Sequence, residues 1–580
     1  MLDLFGVDLR SLAAMRVAIS LLIILDLWRR SKDLVAHYTD FGVLPRAALI
    51  GEEYTRWRVS IHLANGSWEF QAVLFLIAGA FALALLVGYK TRIATIGSWL
   101  LLASLHSRNP ILLDGGDFLL RLILFWAIFL PWGEYWSLDR GLRDTDSKIP
   151  QQTFSAATLA YTMQIVFTYW FSVLLKTGPE WRDGSAVYYT LHFDQFVTPV
   201  GLYLRQYAVL LEILTHSVFW VEIIGPLLLV SPIVHAPVRL AGIFLLSLMH
   251  IGIGMCINIG IFTWIAPLAM LGLLPSWFWE KISFRENKRR ELTIYFDDGC
   301  SFCSRSVRLL KTFLFLPETV ETQGLSDPCV QPDIRDRKSL ILVDEDNVRY
   351  FKFDAVTVLA KQSALIRPLV PIFKSSLVKR MGDQVCEFVA NHRRLPLPSM
   401  TPRRKAPNPE LGVFLNVSIL LLLGYVLLWN LATVPNSRLE LTERARAVGE
   451  LLRIDQIWNM FAPGPSRYNG WFIIPGRLKS GEVVDLFKND ESVSWERPAS
   501  VAALFQSYRW WKYLYTLWNR KDQNSWRNYS SYLCRSWNRD HYRSETLEEL
   551  RIILIVEKIR LNNEQGSPNR FLIYEHRCGD

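Results

Sequence analysis

Over its first half the chain alternates long apolar runs with short polar connections, and then it changes character. Apolar segments recur near 12–28, 68–88, 93–107, 117–136, 153–175, 207–234, 238–257 and 259–280. A bilayer core takes roughly 20 apolar residues per helix, so this spacing predicts eight spanning helices. The third is short, hemmed between Arg92 and Arg108. From about 291 to 395 the pattern is that of a water-soluble α/β domain. It begins with a strand over 292–296 and a helix over 304–315. Strands at 339–343 and 348–353 then flank the polar turn 344–347, and helices follow near 354–363 and 377–392.

A proline-bearing linker, 396–410, leads to a ninth apolar run over 411–434. The remaining stretch, 435–580, is polar and rich in Trp. It predicts a hairpin from 470–474 and 482–487, an aromatic helix over 501–519 and a strand pair from 551–556 and 570–574. The expected architecture is a polytopic α-helical membrane protein of about eight plus one spans, with an inserted α/β domain and an α+β C-terminal domain. Its divisions are 1–285, 291–395, 396–410, 411–434 and 435–580.

Charge refines this picture. The formal net charge is +10, yet the cations gather at the ends of apolar runs, which sets nucleic acid aside as a partner. Lys90, Arg92, Arg140, Arg143, Lys148, Arg239, Lys281, Arg285 and Lys288 to Arg290 follow the even-numbered spans. Basic loops stay in the cytoplasm, so the N-terminus and the central domain are expected there and the tail on the other side. The first loop, with Arg29, Arg30, Arg56 and Arg58, argues the other way, offset by Asp33, Asp40, Glu52 and Glu53. Met1 to Arg10 has no signal-peptide pattern, and the run beyond it is expected to stay as an anchor. Seven Cys in 580 residues make no disulfide framework. Cys534 and Cys578 would pair if the tail lies outside the cytoplasm.

The clearest chemistry is Cys300-Ser301-Phe302-Cys303 at a predicted strand-to-helix junction. Unpaired amides and the dipole at a helix start favour a thiolate, so Cys300 is the candidate nucleophile and Cys303 the resolving thiol. Half of a zinc site completed by Cys329, Cys386 or His392, and two inert core thiols, are the alternatives. The region 292–395 resembles the DCC family of thiol-disulfide oxidoreductases. The shared features are the strand into Asp297, the paired Cys, Ser339 to Asp344, Asp354-Ala355 and Ala390 to Arg393. The resemblance implies a thioredoxin-like domain acting on a thiol or disulfide protein substrate. The glycine of the family's Asp-Gly-x-Cys is displaced by one in Asp297-Asp298-Gly299-Cys300.

Ionisable residues inside spans mark cavities or polar packing. Asp117 with Arg121, and Glu212 with His216, lie four apart, as helix neighbours do. Glu222, Lys176 and His250 are further cases, and snorkelling or interhelical bonding accounts for many such residues. Lys176 lies five residues before Trp181, Met249-His250 leads to Gly260 to Phe262, and Trp458 to Pro463 precedes Gly470-Trp471. In these features 5–280 and the tail segment resemble the vitamin K-dependent gamma-carboxylase and its HTTM (horizontally transferred transmembrane) relatives.

That resemblance implies Lys176 as a catalytic base and His250 in the same site, with vitamin K hydroquinone or another quinone as cofactor. Where the carboxylase has Asn-His, this chain reads Asp114 to Asp117, and a propeptide-binding region is not recognisable. Three readings stand. One is a membrane-bound thiol-disulfide oxidoreductase, possible quinone coupling included. Another is a quinone-dependent carboxylase- or oxygenase-like enzyme using Lys176. The third is a non-enzymatic, lipid-binding scaffold in the bilayer.

Overall fold

The computed structural model describes residues 2–51, 56–143, 150–284, 292–296, 301–314, 321–323, 341–363, 366–391, 409–488, 491–561 and 567–579. The membrane region is built from α1 (Leu9–Ser31), α2 (Trp68–Val87), α3 (Thr91–Arg108), α4 (Gly115–Ala127), the short α5 (Leu138–Gly141), α6 (Ala156–Leu175), α7 (Ala208–Leu229), α8 (His235–Cys256), α9 (Phe262–Met270) and α10 (Ser276–Phe284). Among the described residues, six helices are long and apolar enough to cross a membrane. Five are α1, α2, α6, α7 and α8; the sixth, Gly412–Leu431, belongs to α14 (Pro409–Leu431). The runs expected at 93–107, 117–136 and 259–280 form α3, α4 and α9, which are shorter or less apolar.

Local chemistry sets several helix ends. Asp8 caps α1 by accepting from the Arg10 amide at 2.8 Å. Ser67 caps α2, which stops at Gly88 with φ of +69°. A Cβ there would lie 2.3 Å from that of Ser137, so only glycine closes this end. Asp114 and Asp117 form a reciprocal capping box at the start of α4. Apolar side chains of α7 and α8 such as Val209, Ile213, Trp220 and Phe244 point outward, as lipid-facing residues do.

The central domain has a four-stranded sheet from β1 (Leu292–Tyr295), β2 (Glu321–Gln323), β3 (Ile341–Asp344) and β4 (Arg349–Phe351), in the order β2-β1-β3-β4. β1 runs parallel to β2 and antiparallel to β3, and β3 is antiparallel to β4. Helices α11 (Ser301–Phe313), α12 (Lys352–Gln362) and α13 (Ser376–Asn391) accompany it. Leu292, Ile294, Val307, Leu342, Leu359 and Val370 form its separate core.

The tail after α14 combines helices with an antiparallel sheet. Its six-stranded sheet has β5 (Tyr468–Ile473), β6 (Pro475–Leu478), β7 (Val483–Asp485), β8 (Glu491–Ser492), β9 (Leu547–Lys558) and β10 (Asn569–Arg577). The order is β8-β7-β6-β9-β10, with β5 also on β9. The expected pair at 551–556 and 570–574 is present as β9 and β10. The expected hairpin is corrected: β6, not the 470–474 strand, turns through Gly481 to meet β7. β5 pairs instead with the second half of the long β9. The aromatic helix is α15 (Tyr508–Arg520), followed by α16 (Gln523–Asp540). Cys534 on α16 is disulfide-bonded to Cys578.

Candidate functional site

Two places carry chemistry. In the central domain β1 is buried at Leu292 and Ile294 and leads toward α11, which opens at Ser301. Cys303 therefore sits in the first turn of α11, half-buried, and Cys300 lies outside the described residues. Cys329 and His392, the other candidate zinc ligands, also lie outside them. Cys386 on α13 is half-buried, and burial pushes its thiol up, with Asp383 adding to the shift, away from nucleophilic character. α11 turns Val307 into the core, while its Leu309 rests on α5, where a Cβ on Gly141 would come within 2.6 Å.

In the membrane region Lys176 forms the C-terminal cap of α6. Its Nζ pairs with the Glu222 carboxylate on α7 and lies 4.6 Å from the centroid of the Trp181 ring. His250, on α8, is buried and its Nε2 meets the Tyr169 hydroxyl at 2.9 Å. These residues line one small cavity of about 40 Å³, closed by Trp458, Met460 and Phe461 from the tail. The structure thus brings Lys176 and His250 together.

The tail strap is well anchored. Trp181 Nε1 donates to the Phe461 carbonyl at 3.0 Å, the Gly178 amide to that of Pro463 at 2.8 Å, and Arg467 pairs with Glu180 at 2.6 Å. A second cavity of about 460 Å³ shares Ile259, Phe262, Met460 and Phe461 with the first and opens along α15. Burial lowers Lys512 on its wall from the ordinary lysine value. Asp114, on its floor, is pushed up to about 6, by burial first and then by the Asp117 charge.

Expected pairs resolve differently. Asp117 does not take Arg121; it accepts from Arg30 at 2.5 Å and from both guanidinium nitrogens of Arg509, at 2.5 and 2.9 Å. Arg121 turns instead to Asp455, at 3.1 Å. Glu212 and His216 lie beside Gly184, and no bond joins them. Sequence reasoning missed Tyr169 and Arg509 as partners, because neither has a spacing signal that points to His250 or Asp117.

Helices of this length and apolarity, with an α/β domain set between them, define a membrane protein with a separate α/β module. Residues 6–279 match the family model of the HTTM domain, and residues 294–396 match that of the DCC1-like thiol-disulfide oxidoreductase. The chain thus joins a segment matching the HTTM domain to one matching the DCC1-like domain, and residues 397–580 lie beyond both matches. No curated protein and no solved structure matches it.

Proposed function

We propose that this is a membrane-bound thiol-disulfide oxidoreductase with Cys300 as nucleophile and Cys303 as resolving thiol. The observation that carries the reading is Cys303 in the first turn of α11, directly after β1, inside the segment that matches the DCC1-like family. The order β2-β1-β3-β4, with one parallel and two antiparallel pairings and α11 between β1 and β2, supports a thioredoxin-like domain. The domain divisions 1–285, 291–395, 396–410, 411–434 and 435–580, with eight plus one spans, belong to the same reading.

The exchange balances simply. The Cys300 thiolate attacks one sulfur of a substrate disulfide, and the other sulfur leaves as a thiolate that takes a proton. Cys303, deprotonated, then attacks Cys300 Sγ and releases the second substrate thiol. Two electrons pass to the substrate and the Cys300–Cys303 disulfide remains. Run backwards, the couple oxidises a dithiol. With eight crossings before this module and α14 after it, the module shares the cytoplasmic side with the N-terminus and the tail lies outside. The Cys534–Cys578 disulfide supports that sidedness, because disulfides persist in oxidising compartments.

The test is Cys303→Ser in the full chain. Without a resolving thiol, the first mixed disulfide is expected to accumulate as a covalent substrate adduct that reductant releases. An adduct that forms equally in wild type, or one that survives in Cys300→Ser, would sink the assignment.

A second reading, base chemistry in the membrane region, rests on Lys176 and His250 lining one cavity. The space beside Lys176 is about 40 Å³, enough for a few waters, and it borders the larger cavity of about 460 Å³. Lys176 Nζ is also already engaged by Glu222. Base chemistry at this lysine therefore requires that the pair with Glu222 first opens. Hydroquinone-dependent oxygen uptake that vanishes in Lys176→Met would favour this reading over the first.

A further inference from the structure

Helix α13 carries an apolar stripe that the central domain does not use. Its inner face is fixed by Gly382, where a Cβ would lie 2.3 Å from the Phe353 ring, and by Asp383, which accepts from the Phe353 amide at 3.2 Å. Lys379 pairs with Asp354 on α12 at 2.7 Å. With that face settled, Leu377, Met381 and Val385 fall at i, i+4 and i+8 on an adjoining face and are 69%, 58% and 61% exposed. Ile372, just before the helix, is exposed as well. Soluble domains do not normally leave such a row in water.

We propose that this stripe lies in the headgroup region of the bilayer and seats the redox module on an anionic lipid surface. Three observations choose lipid as the occupant. The module is tied to the membrane on both sides: α10 ends at Phe284, eight positions before β1, and α14 begins at Pro409, eighteen positions after α13 ends at Asn391. A link of that length spans at most about 60 Å fully extended. Leu309 of the same module already rests on α5 of the membrane region, so the membrane face is adjacent.

The charge also fits. Arg380, beside the stripe, and Lys374, just before the helix, are exposed cations, and the sequence onward to α14 adds Arg393, Arg394, Arg403, Arg404 and Lys405. An amphipathic helix edged by cations is the form that binds anionic lipid surfaces. A second copy of the chain is a poorer fit, because one narrow stripe falls short of the roughly 800 Å² per partner of a stable interface.

The test uses the full chain in nanodiscs of phosphatidylcholine with phosphatidylglycerol. A photo-crosslinking amino acid replaces Met381 in one protein, Leu377 in a second and the exposed Glu387 in a third. Lipid adducts at 381 and 377, absent at 387 and reduced in nanodiscs of phosphatidylcholine alone, are the expected result. Cross-linked dimers or other protein adducts at 381 and 377, or equal lipid labelling at all three positions, would overturn the proposal. A redox-dead Cys300→Ser background must give the same pattern, which separates this docking from the thiol chemistry.

Discussion

Arg509 of the tail and Asp117 of the membrane region meet in a buried two-pronged ion pair across 392 residues of sequence. Arg30 and Asp26 complete the cluster, with Arg30 donating to Asp26 at 2.6 Å and Arg509 at 3.2 Å. The pair fastens α15, and with it the wall of the larger cavity, to the helices below. Arg509→Ala should cost about 3–5 kcal/mol, because it leaves a buried carboxylate short of its partner. Arg509→Lys should recover only part of this, since an ammonium cannot reproduce the fork. Thermal unfolding in detergent reads both, and an alanine variant that melts with wild type would remove the pair from the account.

Lys176 and Glu222 make a similar buried pair, with side chains 3% and 10% exposed. Glu222→Gln should destabilise the protein by about 3–5 kcal/mol through the abandoned lysine. The double variant Lys176→Met with Glu222→Leu should regain most of that loss. If the double variant is as unstable as the single one, packing and not charge governs the site.

The disulfide closes a separation of 44 residues in the tail. On chain-entropy grounds its loss costs at most about 4 kcal/mol. Cys534→Ser should therefore expose the tail to protease at lower temperature, while the central domain keeps its own cutting pattern. Identical tail cleavage in the variant and the wild type would show that the bond contributes little.

Acid should loosen the first extramembrane loop. Burial holds His62 down at about 4, against its ordinary 6.5, although its bond to Gln71 pulls the other way. Between those values the unfolded chain binds more protons than the folded one. The neutral ring's contribution is thus complete above 6.5 and is lost as pH falls toward 4. At pH 5 the loss reaches at most about 2 kcal/mol. His37, held at about 3, adds in the same direction, and Asp114, raised to about 6, opposes it. His62→Asn should flatten the difference in melting temperature between pH 7 and pH 5; an unchanged slope would assign the acid sensitivity elsewhere.

Local pattern made much of this legible. The apolar runs became helices, and the two strands expected around the acidic turn are present as β3 and β4, although Asp344 ends β3 instead of opening the turn and β4 stops at Phe351. The turn at Gly481, with φ of +88°, was readable from Ser480-Gly481, but the strand feeding it was not. Pro475 starts a new strand just after β5 ends, and the two strands then share different halves of β9. The i to i+4 spacing suggested Asp117 with Arg121, yet each takes a partner more than 300 positions away or on another helix. Such contacts are set by how the tail docks, and no window of sequence contains that. Lys176 and His250 were readable as candidates, whereas Tyr169 and the closing role of Phe461 came only with the packing.

The central claim is a reversible Cys300–Cys303 couple, and thiol counting tests it most directly. Full-length protein is treated with mild oxidant, with reductant or with a metal chelator, and its reactive thiols are counted by maleimide mass shift beside Cys300→Ser. Oxidant is expected to remove two reactive thiols in wild type, reductant to restore them, and the paired loss to be absent in the variant. Thiols that stay reactive after oxidant, or that emerge only with chelator, would contradict it and leave the Lys176 cavity as the better candidate.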